Sequence, residues 1–369
     1  MKKVGVIGGG QLARMMIPAA INLGLDVQVF AEAEDSPASL AATWVGDYRD
    51  AAQVSTFAAR VDVLTFDHEH VPTEVLEQVR ASGVVIAPSP EALTLTHDKI
   101  VMRKSLSALE VPQPRWGVIE PSVSFAEVVE EVGGFPCVAK KPIGGYDGKG
   151  VRVIDSLQEI EDWIAQGPVL LEEKVPFVRE LALVSARRHG GEWVPWLPVQ
   201  TRQVNGVCSE VIAPAPGMSN AFIQQADALS RLISDELGIV GVLAVEVFEL
   251  PDGSVVVNEL AMRPHNSGHV FTELSTTSQF EQHLRAVADI PLGSPSFTSP
   301  VGVMVNILGG IEAAAKVAAW RVVPEAKIHD YGKPARAGRK VGHIVVTGSD
   351  FDRTLARAEE ARSLMNRPG

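Results

Sequence analysis

The placement of Glu246 and Glu259 is tightly constrained by the residues around them. Leu243 to Leu250 and Val255 to Leu260 read as two strands, and Asp252-Gly253 between them is a strong signal for a two-residue hairpin turn. That turn sets Glu246 directly opposite Glu259 on one face, while Val245 and Val247 make the other face apolar. Directly opposed like charges destabilise a hairpin, so the pair calls for a cation. Oxygen ligands suit Mg2+, which bridges to phosphates, and Asn258 offers a further oxygen. The competing reading is an acidic face in water, and a one-residue bulge would undo the pairing.

Two glycine-rich segments bear on phosphate binding. Lys140-Lys141-Pro142-Ile143-Gly144-Gly145-Tyr146-Asp147-Gly148-Lys149-Gly150 lies between two strands and carries lysines before and inside the loop. Such a loop can fold over a triphosphate with backbone N–H groups and positive charge. No Ser or Thr follows Lys149 and a strand comes next, so it is not a Walker A loop. A plain turn-forming loop is the alternative. Gly8-Gly9-Gly10-Gln11-Leu12-Ala13 is the glycine turn of a strand–helix unit, with Glu32 near the end of the second strand. This pattern fits a dinucleotide site, a phosphate site of another kind, or a tight turn alone.

Three further clusters stand out. Arg263-Pro264-His265-Asn266-Ser267-Gly268-His269 follows directly on the paired carboxylates and could bind an anionic or heterocyclic substrate. Lys333, Arg336, Arg339 and Lys340, followed by His343, form a basic cluster suited to a phosphate or carboxylate. Asp67-His68-Glu69-His70 ends a strand at the edge where open α/β sheets bind ligands, but no second ligand pair supports a metal site there. Cys137 lies in an apolar strand and reads as core.

The elements that must carry these residues divide the chain. Strands near Lys3–Ile7, Asp26–Phe30, Asp62–Phe66 and Val84–Ala87 alternate with helices, which predicts a small parallel, doubly wound domain over 1–95. A helix over His97–Leu109 ends at Val111-Pro112-Gln113-Pro114. The α+β stretch 96–290 then carries strands at Cys137–Lys141, Val151–Ile154 and Val169–Glu172. A helix over Asp155–Ala165 is capped by Ser156, antiparallel strands follow at Glu180–Arg187 and Trp193–Val199, and a helix spans Ala221–Leu237. Pro291, Pro295 and Pro300 mark a linker to a third, α/β unit over 291–369.

At 369 residues the chain is long enough for two to three domains. Lys and Arg number 33 against 45 Asp and Glu, a net charge of −12 that argues against a nucleic-acid binder but leaves room for a small basic pocket. Two cysteines cannot build a disulfide framework, which fits a reducing compartment. No apolar run is long enough for a membrane helix, and glycines and Arg14 interrupt the run after Lys2-Lys3, so no secretory leader is expected.

The order of these features resembles the ATP-grasp superfamily: a small α/β domain, Lys140 with its glycine loop, Glu172 to Val175, then Glu246 with Asn258-Glu259. Four stretches resemble, more narrowly, the N5-carboxyaminoimidazole ribonucleotide synthetase family: Gly8 to Met15, Gly144 to Gly150, Arg263 to His269 and Gly338 to His343. The resemblance implies a Rossmann-like preATP-grasp domain, a two-lobed ATP-grasp domain and a small C-terminal domain. It implies carboxylation of 5-aminoimidazole ribonucleotide by bicarbonate and ATP, with Mg2+ (or Mn2+), through carboxyphosphate. ATP would then be held by Lys99, Lys140, Gly145 to Gly150 (Tyr146, Asp147, Gly148 and Lys149 among them), Glu172, Glu173, Lys174, Val175, Glu180, Asn258 and Glu259. The cation would be held by Glu246, Glu259 and Asn258, and Tyr146, Lys149, Arg263, His265 and Asn266 would serve catalysis. Gln11, Lys333, Arg339 and Lys340 would bind the ribonucleotide, which reassigns the first glycine turn to a substrate phosphate. It further implies a cytoplasmic homodimer that hands its product to the N5-carboxyaminoimidazole ribonucleotide mutase. Departures are Met262, where the family often has proline, Pro198-Val199-Gln200-Thr201, where a Glu usually follows the apolar pair, and Val204, where histidine is common. Another ATP-grasp ligase or formyltransferase of the same pathway, an NAD-dependent oxidoreductase and a nucleotide-sensing protein are the competing readings.

Overall fold

A computed structural model of the chain describes residues 2–120, 124–145 and 149–365. Tyr146, Asp147 and Gly148 lie outside the described residues.

The N-terminal unit is a five-stranded parallel sheet in the order β3-β2-β1-β4-β5. Its strands are β1 (Lys3–Ile7), β2 (Asp26–Ala31), β3 (Ala42–Val45), β4 (Val63–Phe66) and β5 (Val85–Ile86). Helices α1 (Gln11–Leu23), α2 (Ala51–Ala58), α3 (Thr73–Ala81) and α4 (Pro90–His97) accompany them. Val4, Val6 and Val29 pack on one face with Leu12 and Met16 of α1, and Ile7, Phe30 and Leu64 on the other with Phe57 of α2. The strand β3 escapes sequence inspection because Thr-Trp between small residues carries little alternation. The helix expected over His97–Leu109 is α5 (Lys99–Ala108), and α4 ends just before it at His97. Asp98 is extended and its carboxylate accepts from the N–H groups of Ile100 and Val101, so it caps α5.

A four-stranded antiparallel sheet follows, ordered β6-β9-β7-β8, with β6 (Trp116–Ile119), β7 (Cys137–Lys140), β8 (Val151–Ile154) and β9 (Val169–Glu173). Helix α6 (Phe125–Glu131) covers it. The helix expected over Asp155–Ala165 is a 3-10 turn, Leu157–Ile160, running into the short α7 (Glu161–Ile164), behind a Ser156/Glu159 capping box.

The largest sheet is ordered β15-β14-β10-β12-β13-β16-β18-β17, with β11 beside β10. Its strands are β10 (Arg179–Arg187), β11 (Trp193–Pro195), β12 (Val199–Val204), β13 (Val207–Ala213), β14 (Gly241–Glu249), β15 (Val255–Ala261), β16 (Val301–Gly309), β17 (Lys327–Asp330) and β18 (Arg336–Gly348). Helix α8 (Asn220–Glu236) packs against β10 and α10 (Gln279–Val287) against β14, with α9 (Phe271–Leu274) between them in sequence. Because β13 pairs with β16, the sheet runs unbroken across the proline-marked segment into the last strands, which α11 (Ala313–Val322) and α12 (Phe351–Met365) cover.

The β14–β15 hairpin departs from its expected turn and still delivers the expected pair. Leu250 and Ser254 close a three-residue loop in which Gly253, at φ +83, occupies the left-handed region. That shifts the register by one, so Val247 faces Val257. A bulge at Asn258 shifts it back, and Glu246 stands opposite Glu259. The bulge also re-aims side chains. Asn258 and Glu259, adjacent in sequence, both meet lysines of the same site.

Candidate active site

Two lysines from different elements meet the bulged strand. Lys99, the first residue of α5, places Nζ 3.1 Å from Glu259 Oε1 and 3.5 Å from the Gly145 carbonyl. Lys140, the last residue of β7, places Nζ 2.7 Å from Glu172 Oε2 and donates to Asn258 Oδ1 at 3.0 Å. Both ammonium groups are almost fully buried, and the carboxylates facing them offset the cost of that burial. Burial alone raises the Glu172 carboxyl, but Lys140 and Arg103 outweigh it and hold it down at about 2. Along β9 the side chains alternate. Glu172 therefore points inward, while Glu173 pairs outside with Arg115 at 2.9 Å. Lys174 is exposed and Val175 half-buried in the segment that crosses from the small sheet to β10. Burial raises the Glu180 carboxyl on β10.

Glu246 is ringed by protein, with 29% of its side chain exposed. Burial, then the charges of Glu259 and Glu180, push its carboxyl up to about 8. Lys99 pairs with Glu259, yet Glu246 stays raised, and the donor set of the two carboxylates is hard oxygen. Among the described residues no three His, Cys, Asp or Glu form a protein-only metal cage. The facing carboxylates and Asn258 therefore offer the oxygen donors that a hard cation takes.

On the other side of Glu246 stands His265, whose Nε2 is 3.4 Å from Glu246 Oε1. Burial, then the positive charges of Arg263 and Lys340, push this imidazole down to about 3, so it is neutral at pH 7. Gln279, at the start of α10, accepts from the His265 N–H and donates to its carbonyl, both at 2.8 Å. Arg263 forks onto Glu69 at 2.8 and 3.4 Å, and this holds the Glu69 carboxyl at about 2 against its burial. Asn266 is half-buried, and its two side-chain polar atoms are buried with no hydrogen-bond partner. Lys333 Nζ reaches Gln11 Oε1 at 2.6 Å, joining the last strands to the first helix. Arg339 touches the Pro334 carbonyl at 3.3 Å, and Lys149 and Gly150 end the glycine loop, where the Gly150 carbonyl accepts from the Lys141 N–H.

The first glycine turn is filled by the protein itself. Glu32 accepts from Gly9 N–H and Asp67 from Ala13 N–H, and a side chain at Gly10 would strike Asp67 Oδ2 at 2.0 Å. The Gly9 and Ala13 N–H groups are thereby taken by the protein's own carboxylates. Asp67-His68-Glu69-His70 thus closes a turn and pairs Arg263. His343 adds no charge to the basic cluster. It is fully buried, stacks on His269 and His329, bonds Tyr331 and is pushed well below its ordinary pKa by burial. Cys137 is core, its thiol raised by burial to about 11.

Inspection of the sequence missed Arg103, Glu69 as the partner of Arg263, and Gln279. Arg103 and Gln279 lie in no motif, Glu69 lies in the Asp67-His68-Glu69-His70 run without any sign there of its partner, and each acts on a residue elsewhere in the chain.

Comparison with known proteins bears on this arrangement. Residues 1–97 match the ribonucleotide synthetase preATP-grasp domain, 104–280 the ATP-grasp domain and 302–357 the phosphoribosylaminoimidazole carboxylase C-terminal domain. The chain is 46% identical to the N5-carboxyaminoimidazole ribonucleotide synthase of Mycobacterium tuberculosis, over 97% of this chain and 86% of that one. It is 42% identical to the enzyme of the same name from Corynebacterium ammoniagenes, over 99% and 92%. A structure of N5-carboxyaminoimidazole synthase from Aspergillus clavatus, in complex with ADP and 5-aminoimidazole ribonucleotide, superposes with a TM-score of 0.89 at 31% identity, covering 100% of this chain and 99% of that one.

Proposed function

Because the chain belongs to the N5-carboxyaminoimidazole ribonucleotide synthase family, we propose that the residues gathered around Glu246 and Glu259 carry that family's reaction. It is an ATP-dependent ligase of purine biosynthesis: ATP, bicarbonate and 5-aminoimidazole ribonucleotide give N5-carboxyaminoimidazole ribonucleotide, ADP and phosphate. The observation that carries the residue assignment is the facing carboxylate pair, with Lys99 and Lys140 on one side and His265, Arg263 and Lys340 on the other.

Bicarbonate is a poor electrophile. Its oxygen attacks the γ-phosphorus of ATP, the bond to the β-phosphate oxygen breaks, and ADP leaves. The carboxyphosphate so formed has a good leaving group. The substrate amine attacks its carbon, or CO2 freed from it, and phosphate departs. Phosphoryl transfer asks chiefly for positioning and charge neutralisation. Lys99 and Lys140 supply positive charge to the phosphates, and Glu246, Glu259 and Asn258 would hold Mg2+ or Mn2+. When bound, that cation neutralises phosphate charge. Carboxyphosphate hydrolyses in water, so the loop Gly144 to Gly150, with Tyr146 and Lys149, closes over the site. Arg263, His265 and Asn266 face bicarbonate and the aminoimidazole, where the uncharged imidazole of His265 offers a hydrogen bond. Gln11, Lys333, Arg339 and Lys340 take the ribonucleotide. Glu172 to Val175 offer the backbone edge for adenine and Glu180 the ribose contact. The division at 1–95, 96–290 and 291–369, a homodimer, hand-off to the mutase and a cytoplasmic setting belong to the same proposal. Among the described residues no helix is long and apolar enough to cross a membrane.

The test is ADP release with Mg-ATP, adding bicarbonate and 5-aminoimidazole ribonucleotide separately and together. Release that needs the ribonucleotide, fixes labelled bicarbonate and collapses in Glu259→Gln supports the assignment. Release indifferent to the ribonucleotide, or intact in the variant, overturns it.

A further inference from the structure

We infer that Arg103 is a positioning residue for the nucleotide and its cation, holding both the bulged strand and the Lys140 ammonium in place; this rests on the roles proposed above for Lys140, Asn258 and Glu259. Arg103 lies in α5 and is fully buried. Its Nη1 donates to the Val257 carbonyl and its Nη2 to the Asn258 carbonyl, both at 2.8 Å. Its Nε donates to Glu172 Oε1 at 2.8 Å. The other Glu172 oxygen meets Lys140 Nζ at 2.7 Å, and Lys140 in turn donates to Asn258 Oδ1 at 3.0 Å. Arg103, Glu172, Lys140 and Asn258 therefore close a ring that joins α5, the small sheet and the large sheet.

The need for such a clamp follows from the strand. β15 is an edge strand of the large sheet, so the outward carbonyls of Val257 and Asn258 have no ladder partner. The bulge at Asn258 loosens the ladder further just where Asn258 and Glu259 must share one face. The Val257 N–H finds the Pro112 carbonyl at 2.8 Å, and both outward carbonyls are left to the guanidinium. Its rigid planar fork matches two adjacent carbonyls and a carboxylate at once, which an ammonium does not. An apolar contact between α5 and β15 would avoid the cost of burying charge, so the directional bonds are what the arginine contributes.

The test compares wild type, Arg103→Lys and Glu259→Gln. Mn2+ binding in the presence of ADP is read from loss of the free-ion electron paramagnetic resonance signal. KM values for ATP and 5-aminoimidazole ribonucleotide are measured in parallel. For Arg103→Lys we expect the Mn2+ dissociation constant and KM for ATP to rise tenfold or more, with KM for the ribonucleotide within twofold. A merely structural role would move all three together, and that result overturns the proposal. So does Mn2+ affinity within twofold of wild type in Arg103→Lys while Glu259→Gln loses it. Unchanged Mn2+ binding in Glu259→Gln overturns the underlying site assignment and the proposal with it. Should Arg103→Lys fail to fold, Arg103→Met with Glu172→Gln removes both members of the Arg103–Glu172 ion pair together. The same rise in the Mn2+ constant is expected there, and wild-type affinity overturns the proposal.

Discussion

Gly8-Gly9-Gly10 and the segment from Gly144 to Gly150 look alike in sequence: each follows a strand, and each suggests a cradle for phosphate. In the folded chain they differ in what approaches the backbone. At the first turn the approaching groups are the protein's own Glu32 and Asp67, bonded to Gly9 and Ala13 N–H. At the second, Gly144 has no neighbouring atom within 4 Å of where a side chain would begin, and Lys99 and Lys140 stand close by. Glycine records that something must come near or that the backbone must turn. It does not record whether the visitor is a ligand or a carboxylate of the same chain.

The contrast is sharpened most by removing charge from the open segment. Lys140→Met is expected to lower kcat/KM for ATP by about 10²–10³-fold, the size of losing one preorganised electrostatic group. Steady-state kinetics check it, and a loss below tenfold would place the triphosphate elsewhere. Gly10→Ala comes next. Its added carbon meets Asp67 Oδ2 at 2.0 Å, so the closed turn is expected to lose about 1–3 kcal/mol in chemical denaturation. Adding Asp67→Ala should recover part of it, and no recovery would mean the carboxylate is not what fills the turn. Gly144→Ala, at φ +81 and free of neighbours, is expected to cost only about 1 kcal/mol, all of it backbone strain. A cost equal to that of Gly10→Ala would erase the distinction.

The smallest effect is in pH dependence. Burial raises the Glu32 carboxyl, but the His68 hydrogen bond and Gly9 N–H outweigh it and hold it at about 2, below its ordinary 4.5. A depressed carboxyl contributes stability that is present above pH 4.5 and lost as pH falls toward 2. Glu32→Gln is therefore expected to be less stable than wild type at pH 7, by about 1 kcal/mol or less given its partial exposure, and to converge on wild type near pH 2. Denaturation curves at four pH values check this, and a gap that persists at pH 2 would show that charge is not the cause.

Much of the fold follows from local pattern. The parallel sheet is announced by short apolar strands alternating with helices, and β7 and β8 by the glycines between them. The strands β3, β12 and β13 are not, because Thr-Trp in the first, the Arg and Gln of the second and Cys-Ser-Glu in the third leave no clear alternation. The facing glutamates are legible although the turn around Gly253 is one residue longer than its dipeptide suggests, because the Asn258 bulge cancels the offset. His343 misleads for a simple reason: beside Arg339 and Lys340 it reads as charge, while β18 is covered on both faces from Val341 to Val346, where His343 stacks on His269.

The sequence by itself determines where glycines permit tight approach, which residues alternate into the core, and which carboxylates share a hairpin face. Each of these depends on neighbours a few positions away. Only the tertiary structure decides which charges meet. Arg103 reaches Asn258 across 155 residues, Arg263 reaches Glu69 across 194, and Lys333 reaches Gln11 across 322. Those pairs follow from sheet order and from the docking of separate sheets, both set by burial of whole faces. A side chain's partner is therefore a property of the packed molecule, while its capacity for chemistry is written in its own type.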